Sequence, residues 1–342
     1  MRTALLGATG LVGRTMLALL ETRDWVDEPP LLLTSARSAG EVLTFRGRAV
    51  TCTDAAASAD LAGVEMALFS AGGAASRAYA PRFAQAGSWV VDNSSAWRMD
   101  PAVPLVVPEI NAAALPARPG IVANPNCSTI QVAAAVAPLQ RAFGLKACHV
   151  TTLQAASGGG GRARQALAVE LSACLPGLRE GHASPAMTGT GAFPRRLALN
   201  ALPEIGAALP DGSFEEEAKV VRELRKILGL PQLAVTCLAT RVPVWNGHAA
   251  AVRCICSRAA PRDEVVAALL AAPGLVVAES PHGYATQLEA DGADPVFVGR
   301  VRAEEGRPEV VLMWVVADNV RKGAALNAVQ IADLLAARRR GA

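Results

Sequence analysis

The sequence predicts an α/β protein that opens with a doubly wound parallel sheet and continues into an α+β domain. Three observations predict it. Over the first 120 residues short apolar strands alternate with helical segments, the rhythm of parallel strands joined by crossover helices. A glycine-rich turn separates the first strand from the first helix. The middle of the chain then changes character, with longer strands following one another and few helices between them, as in an antiparallel or mixed sheet.

In chain order, Thr3–Leu6 is a short apolar strand, 7–13 a turn and 11–21 a helix. Leu31–Thr34 and Met66–Phe69 are further strands, 74–86 is a helix and 89–91 a strand. The alanine-rich apolar run 130–139 reads as a helix, with Cys127 at or just before its N-terminus. Strands follow over 150–154, 234–244, 249–256, 296–301 and 310–316, and Glu215–Leu228 is a charged amphipathic helix beside them. Residues 155–164, with glycine at every position from 158 to 161, read as a low-complexity loop. A last helix over 324–338 is expected to return to the first domain. Residues 1–126 with 318–342 then form one discontinuous domain, and 127–317 the other.

Composition narrows the function. With 342 residues, 51% hydrophobic and 18% charged, the chain is long and apolar enough for two globular domains. Aromatic residues make up only 4%, so the core is built from Ala, Val and Leu. A net charge of +3 without a basic cluster points away from nucleic acid; Arg338, Arg339 and Arg340 are cations at the negative end of a helix dipole. No apolar run is long enough to span a bilayer, and the glycines in the first 13 residues fit a turn better than a signal peptide. Seven cysteines, an odd number with no C-x-x-C, give neither a disulfide framework nor a zinc pattern, even around Cys237, His248, Cys254 and Cys256. No metal is expected, and reduced thiols fit a cytoplasmic protein.

The turn Gly7-Ala8-Thr9-Gly10-Leu11-Val12-Gly13 suits a dinucleotide. Its small residues let the backbone approach a pyrophosphate, whose charge the helix N-terminus favours, so the first domain is Rossmann-type. An NAD site would place an acidic residue just after the second strand. Here Arg37 and Ser38 stand there instead, groups suited to a 2′-phosphate, which argues for NADP.

Cys127 lies where helix N–H groups and the positive end of the dipole favour a thiolate, the nucleophilic form. A thiolate beside a nicotinamide suggests aldehyde oxidation through a thioester, or its reverse. Such chemistry needs a proton shuttle. Of four histidines, His149 adjoins a strand and His182 and His282 lie in loops. His248 follows Val244-Trp245-Asn246-Gly247 between two strands and can project into a cleft. Arg98 ends a polar loop at a strand end. Lys219 and Arg222 share a face of the 215–228 helix, with Glu216 one turn before Lys219. Arg241 sits in an apolar strand, where a charge requires a partner, from the protein or from a substrate carboxylate.

Taken together, GATGLVG at 7–13, SARSAG at 35–40, LFSAGG at 68–73, DNSSAWRMD at 92–100, PLVVPEIN at 104–111, ANPNCST at 123–129, RVPVWNGH at 241–248 and ADNVRKGAALNAVQIAD at 317–333 resemble aspartate-semialdehyde dehydrogenase of the bacterial type. The matches run almost end to end in the family's order. The resemblance implies that Cys127 forms an aspartyl thioester, that His248 is the acid/base group, that Gln154 orients the substrate and that Asn126 supports the cysteine. It implies that Arg98 and Lys219 bind phosphate, that Arg241 grips the substrate α-carboxylate and that Glu216 takes its α-ammonium group. Gly7, Thr9, Gly10, Leu11, Val12, Gly13, Arg37, Ser38, Ser157, Gly158 and Asn319 would contact NADP. A homodimer or dimer of dimers is also implied, with a place in lysine, threonine and methionine biosynthesis.

Three departures from the family pattern stand out: SGGGGRARQAL after Gln154, Ala218 within the E-E-x-K motif, and Ala249 after the histidine. They leave two alternatives, a reductase of another acyl phosphate of the acetylglutamyl kind, or a silent NADP-binding paralogue.

Overall fold

Apolar runs near the start of the chain become adjacent parallel strands because they are buried on both faces and show no polar side to water. In this computed structural model the strands are β1 (Thr3–Leu6), β2 (Leu31–Thr34), β3 (Val42–Phe45), β4 (Arg48–Thr51), β5 (Thr53–Asp54), β6 (Met66–Phe69), β7 (Trp89–Asp92) and β8 (Ile121–Ala123). The parallel sheet runs β5-β2-β1-β6-β7-β8, and β3 and β4 form a separate hairpin. The helices of this part are α1 (Leu11–Leu20), α2 (Gly73–Gln85) and the short α3 (Pro108–Asn111). The chain leaves β1 to one side for β2 and later returns to its other side for β6. The end of β1 is therefore the switch point, where open sheets of this kind bind ligands.

The structure describes residues 1–57, 61, 63–182 and 189–340. They divide into two units. The first comprises Met1–Asn126, Lys226–Leu228 and Gly323–Ala342, the second Cys127–Arg225 and Gly229–Lys322. In the first unit, Leu5, Met16, Leu20, Leu68 and Val91 pack with Val329, Ile331 and Leu335 of the last helix. A second cluster around Phe69, Phe83 and Val90 fills the opposite face.

The second unit is built on β9 (Leu145–Gln154), β10 (Ala234–Arg241), β11 (His248–Cys256), β12 (Leu275–Val277), β13 (Val296–Glu304) and β14 (Arg307–Ala317). The order is β10-β9-β11-β14-β13-β12, with β9 parallel to β10 and antiparallel to β11. Its helices are α4 (Cys127–Phe143), α5 (Gly160–Arg179), most of α6 (Glu215–Leu228), α7 (Arg262–Leu270) and α8 (Gln287–Ala290); α9 (Asn327–Arg340) belongs to the first unit. The expected α/β architecture, a doubly wound parallel sheet plus an α+β domain, is present.

Element limits differ from the sequence expectation where burial was hard to read. Helix α4 begins at Cys127 itself and runs to Phe143, since almost every residue in it is buried and no polar stripe marks its ends. The expected loop 155–164 is instead a 3-10 turn, Ala156–Gly159, leading into α5. Ala163, Ala166, Leu167, Glu170 and Cys174 give α5 a buried helical face that the run of glycines obscured. The last helix is preceded by a π-helical turn, Arg321–Leu326.

Candidate active site

Side-chain parity places the second unit's polar residues. On β9, Cys148, Val150, Thr152 and Gln154 point to the buried face, while His149 and Thr151 point to the other. Gln154 ends β9 directly opposite Arg241, which ends β10. His248 begins β11, next to Ala249, which pairs with Leu153. Three neighbouring strands thus bring Gln154, Arg241 and His248 to one end of the sheet, all buried.

Their contacts form a chain. Gln154 donates through Nε2 to Glu216 Oε1 at 3.1 Å, and Arg241 Nη1 donates to Ala155 O at 2.8 Å and to Gln154 Oε1 at 3.4 Å. Lys219 Nζ stands 3.8 Å from Glu216 and 3.9 Å from Glu215. Arg222, the other cation of that helix, is exposed and joins none of these bonds. A carboxylate and a guanidinium therefore lie close together, the pair of groups that would receive an amino acid's ammonium and carboxylate.

His248 is fully buried, and its Nδ1 accepts a hydrogen bond from Ala155 N at 3.1 Å. An accepting Nδ1 places the proton of the neutral ring on Nε2. Nε2 is buried and has no hydrogen-bond partner among the described residues, so its N–H is available to a substrate atom. Burial and the nearby Arg241 guanidinium hold His248 well below the ordinary imidazole range, against a smaller opposing pull from the Gly247 carbonyl. Burial also lowers Arg241 from its ordinary value, opposed by the Glu216 carboxylate and by electrostatic coupling to the Cys127 thiol. Arg241 and Cys127 are thus electrostatic neighbours. Cys127, half-buried, is the first residue of α4 and so sits at the positive end of a long helix.

The 3-10 turn closes over these groups. Ser157 Oγ donates to Asn319 Oδ1 at 2.9 Å, and the same oxygen accepts Gly247 N at 2.9 Å. A Cβ on Gly158 would meet Arg241 Nη1 at 2.5 Å and His248 Nε2 at 3.0 Å, so any side chain there would push the Arg241 guanidinium or the His248 ring aside. Of the departures noted above, Arg164 stacks on Trp245, with its guanidinium carbon 4.3 Å from the ring centroid.

In the first unit, the 7–13 turn has the geometry of a phosphate cradle. Gly7 has φ of 86°, and a Cβ there would stand 2.4 Å from Ser70 O. A Cβ on Gly13 would lie 2.1 Å from Gly7 O, so α1 packs against the turn only because no side chain intervenes. Thr9, Leu11 and Val12 are half-buried and Gly10 is exposed at the helix N-terminus. Arg37, exposed, and Ser38, half-buried, occupy the turn after β2, the strand next to β1. The residues present therefore fit a dinucleotide.

Arg98 follows β7 and is buried. Its Nε donates to Asn124 O at 2.9 Å and its Nη2 to Asn93 O at 3.0 Å. Asn126, also buried, ends this unit immediately before Cys127. Sequence reasoning missed Asn124, which is fully buried and donates to Asn93 Oδ1 while accepting from Asn327. The Asn-Pro-Asn pattern announced a turn but not this network. Asp92 was missed too: burial raises its carboxyl above the ordinary range, although Ser94 donates to it. Among the described residues no helix is long and apolar enough to cross a membrane.

Comparison with known proteins covers both units. Residues 2–117 match the family model for the NAD binding domain of semialdehyde dehydrogenase, and 136–322 match that for its dimerisation domain. The aspartate-semialdehyde dehydrogenase of Aquifex aeolicus (strain VF5) is 43% identical over 338 residues, covering 98% of this chain and 97% of its own. That of Bacillus subtilis (strain 168) is 41% identical over 339 residues, with 98% and 97% coverage. Among solved structures, aspartate semialdehyde dehydrogenase II from Vibrio cholerae, complexed with ASA, is similar with a TM-score of 0.90 and 40% identity, covering 98% of this chain and 97% of that one.

Proposed function

The chain belongs to the aspartate-semialdehyde dehydrogenase family, and from that premise we propose that it reduces L-aspartyl 4-phosphate to L-aspartate 4-semialdehyde, reversibly and with NADP, through a thioester on Cys127. The observation that carries this reading is the meeting of Glu216, from α6, with Gln154, Arg241 and His248 at the ends of three neighbouring strands. An acid beside an arginine suits a substrate with a free α-amino group and an α-carboxylate. An acylated amine has no charge for Glu216 to balance, which speaks against the acetylglutamyl alternative. A silent NADP-binding paralogue has no use for a buried donor at His248 Nε2.

In the biosynthetic direction, the Cys127 thiolate attacks the acyl carbon, the carbon–oxygen bond to phosphate breaks, and phosphate leaves with Arg98 and Lys219 as its binding residues. Arg241 and Glu216 hold the α-carboxylate and α-ammonium groups, Gln154 orients the acyl group, and Asn126 supports the nucleophile. The bound nicotinamide supplies the hydride that reduces the thioester carbon. His248, the acid/base group, meets the resulting oxygen anion through Nε2–H, and collapse of that anion returns the Cys127 thiolate and frees the aldehyde. Gly7, Thr9, Gly10, Leu11, Val12 and Gly13 would receive the dinucleotide phosphates, and Arg37 and Ser38 the 2′-phosphate. Ser157, Gly158 and Asn319 would complete the cofactor contacts. The pathway served is that to lysine, threonine and methionine.

A homodimer fits the second unit. The face of its sheet opposite α4 presents Leu238, Tyr284 and Trp314, with Leu238 50% exposed. The decisive experiment is reduction of NADP by the purified protein with L-aspartate semialdehyde, with and without phosphate. Turnover that needs phosphate, prefers NADP to NAD, and disappears in Cys127→Ser is the expected result. Binding of NADP without turnover would sink the substrate assignment. Thiol labelling at neutral pH gives an independent check, with one fast-reacting cysteine expected at Cys127. Cys237, the other half-buried thiol, is pushed well up by burial, Glu217 and Glu216.

A further inference from the structure

Lys226, near the C-terminal end of α6, is one of three residues of that helix that belong to the first unit. Its ammonium donates to three backbone carbonyls at once: Arg98 O at 2.8 Å, Asp100 O at 2.7 Å and Val103 O at 2.8 Å. A lysine ammonium carries three N–H donors on one nitrogen, so it can close such a ring of acceptors. The three carbonyls belong to the irregular segment that follows β7. Side chains tie its first half, with Ser94 Oγ donating to Asp92 and Trp97 Nε1 donating to Ser76 Oγ. Its second half turns on Asp100, which accepts from Ala102 N and Val103 N. Arg98 stands between the halves, with its guanidinium set by Asn124 O and Asn93 O.

We infer that Lys226 is a positioning residue for Arg98, fixing the backbone from which that arginine projects and so setting the affinity for phosphate without touching it. The inference rests on the reading of Arg98 as a phosphate-binding residue. A lysine serving only as a surface charge would not bring three carbonyls within hydrogen-bond distance of one nitrogen. Charge-assisted bonds of this kind are the strong class, and their loss leaves three acceptors to find other partners. Weakening even one charge-assisted hydrogen bond from Arg98 to phosphate lowers affinity by about tenfold or more.

The test compares the wild type with Lys226→Met, which keeps the aliphatic stem, and Lys226→Arg, which keeps the charge. A guanidinium nitrogen carries at most two N–H groups, so arginine cannot direct three donors from a single atom as the ammonium does. Hydrogen exchange over residues 94–103, the KM for phosphate, and calorimetric binding of inorganic phosphate are measured on each. Both variants are expected to exchange faster over 94–103 and to lose about tenfold or more in phosphate affinity. The kcat at saturating phosphate and the KM values for NADP and aldehyde should stay within about twofold. A merely structural role would raise every KM together. Unchanged exchange over 94–103, unchanged phosphate affinity, or full rescue by Lys226→Arg would each overturn the inference, the last by making charge at a distance the cause. Should Lys226→Met fail to fold, Lys226→Arg is judged by the same readouts. Failure of the phosphate reading shows separately, as Arg98→Met with wild-type phosphate affinity, and the exchange data would still decide whether Lys226 holds the segment.

Discussion

Gly158 leaves no space for a single methyl group between itself, Arg241 and His248. Gly158→Ala is therefore expected to displace one of those side chains and lower kcat/KM by about ten- to a hundredfold, with a melting temperature near that of the wild type. Steady-state kinetics beside a thermal melt would show it, and full activity would mean that the turn moves away freely. His248 carries a pH signature. Its basicity in the folded protein lies well below that of an unfolded histidine, about 6.5. The unfolded chain thus binds the extra proton first as pH falls. Stability is unaffected by this group above about pH 7 and falls below about pH 6.5, by up to about 1.4 kcal/mol per pH unit. His248→Asn should lack that acid loss. Urea titrations across the range would expose the difference, and parallel curves for the two proteins would refute it. At this scale the sequence singles out Cys127 and Arg241 as locally odd, a cysteine before a helix and an arginine in an apolar strand, while His248, one of four histidines, comes forward mainly through the family resemblance. The sequence could not show that Ala155 N sets the His248 tautomer, since that bond joins residues 93 positions apart.

Helix α6 shows how an element carries both stability and specificity. Its first turn is acidic, with Glu215, Glu216 and Glu217 at the positive end of the dipole. Glu217 is buried, and it accepts from Phe214 N at 2.9 Å through one oxygen and from Ala239 N at 3.0 Å through the other. It joins the helix start to β10. Glu217→Ala should cost about 2–3 kcal/mol by leaving Ala239 N–H without its carboxylate. Chemical denaturation would measure the loss, and a change under about 0.5 kcal/mol would mean that water replaces the bond. The helix itself was legible from its strong amphipathic period, and so were the apolar strands β1, β2 and β6. The hairpin β3–β4, whose four-residue β3 buries only Leu43 and Phe45, and the three-residue strands β8 and β12 were not, being too short for a period to stand out. Helix α5 was hidden behind its opening glycines.

For the whole molecule, the two units are each discontinuous in sequence, since Lys226–Leu228 and Gly323–Ala342 join the first. The first unit offers a glycine turn at a switch point, and the second a set of polar strand ends. The sheet face with Leu238 is expected to pair with a second copy of the chain. Leu238→Asp should shift the protein toward monomer in sedimentation analysis, because a carboxylate on that surface would lose its water on association. An unchanged sedimentation coefficient would place the interface elsewhere. The pairing of Gln154 with Arg241 depends on strand register over the full length of β9 and β10, which no local pattern reveals. The candidate chemistry rests on that register, whereas Glu216 is carried by a helix that can vary beside it. On the proposed reading the α-carboxylate partner, Arg241, is fixed by that register, and the ammonium partner, Glu216, is carried by the helix. A library at residue 216 alone, with Glu217 kept to hold the helix to β10, could explore other α-substituents while the strand register stays in place, and descendants of this fold could trade one acid for another by the same route.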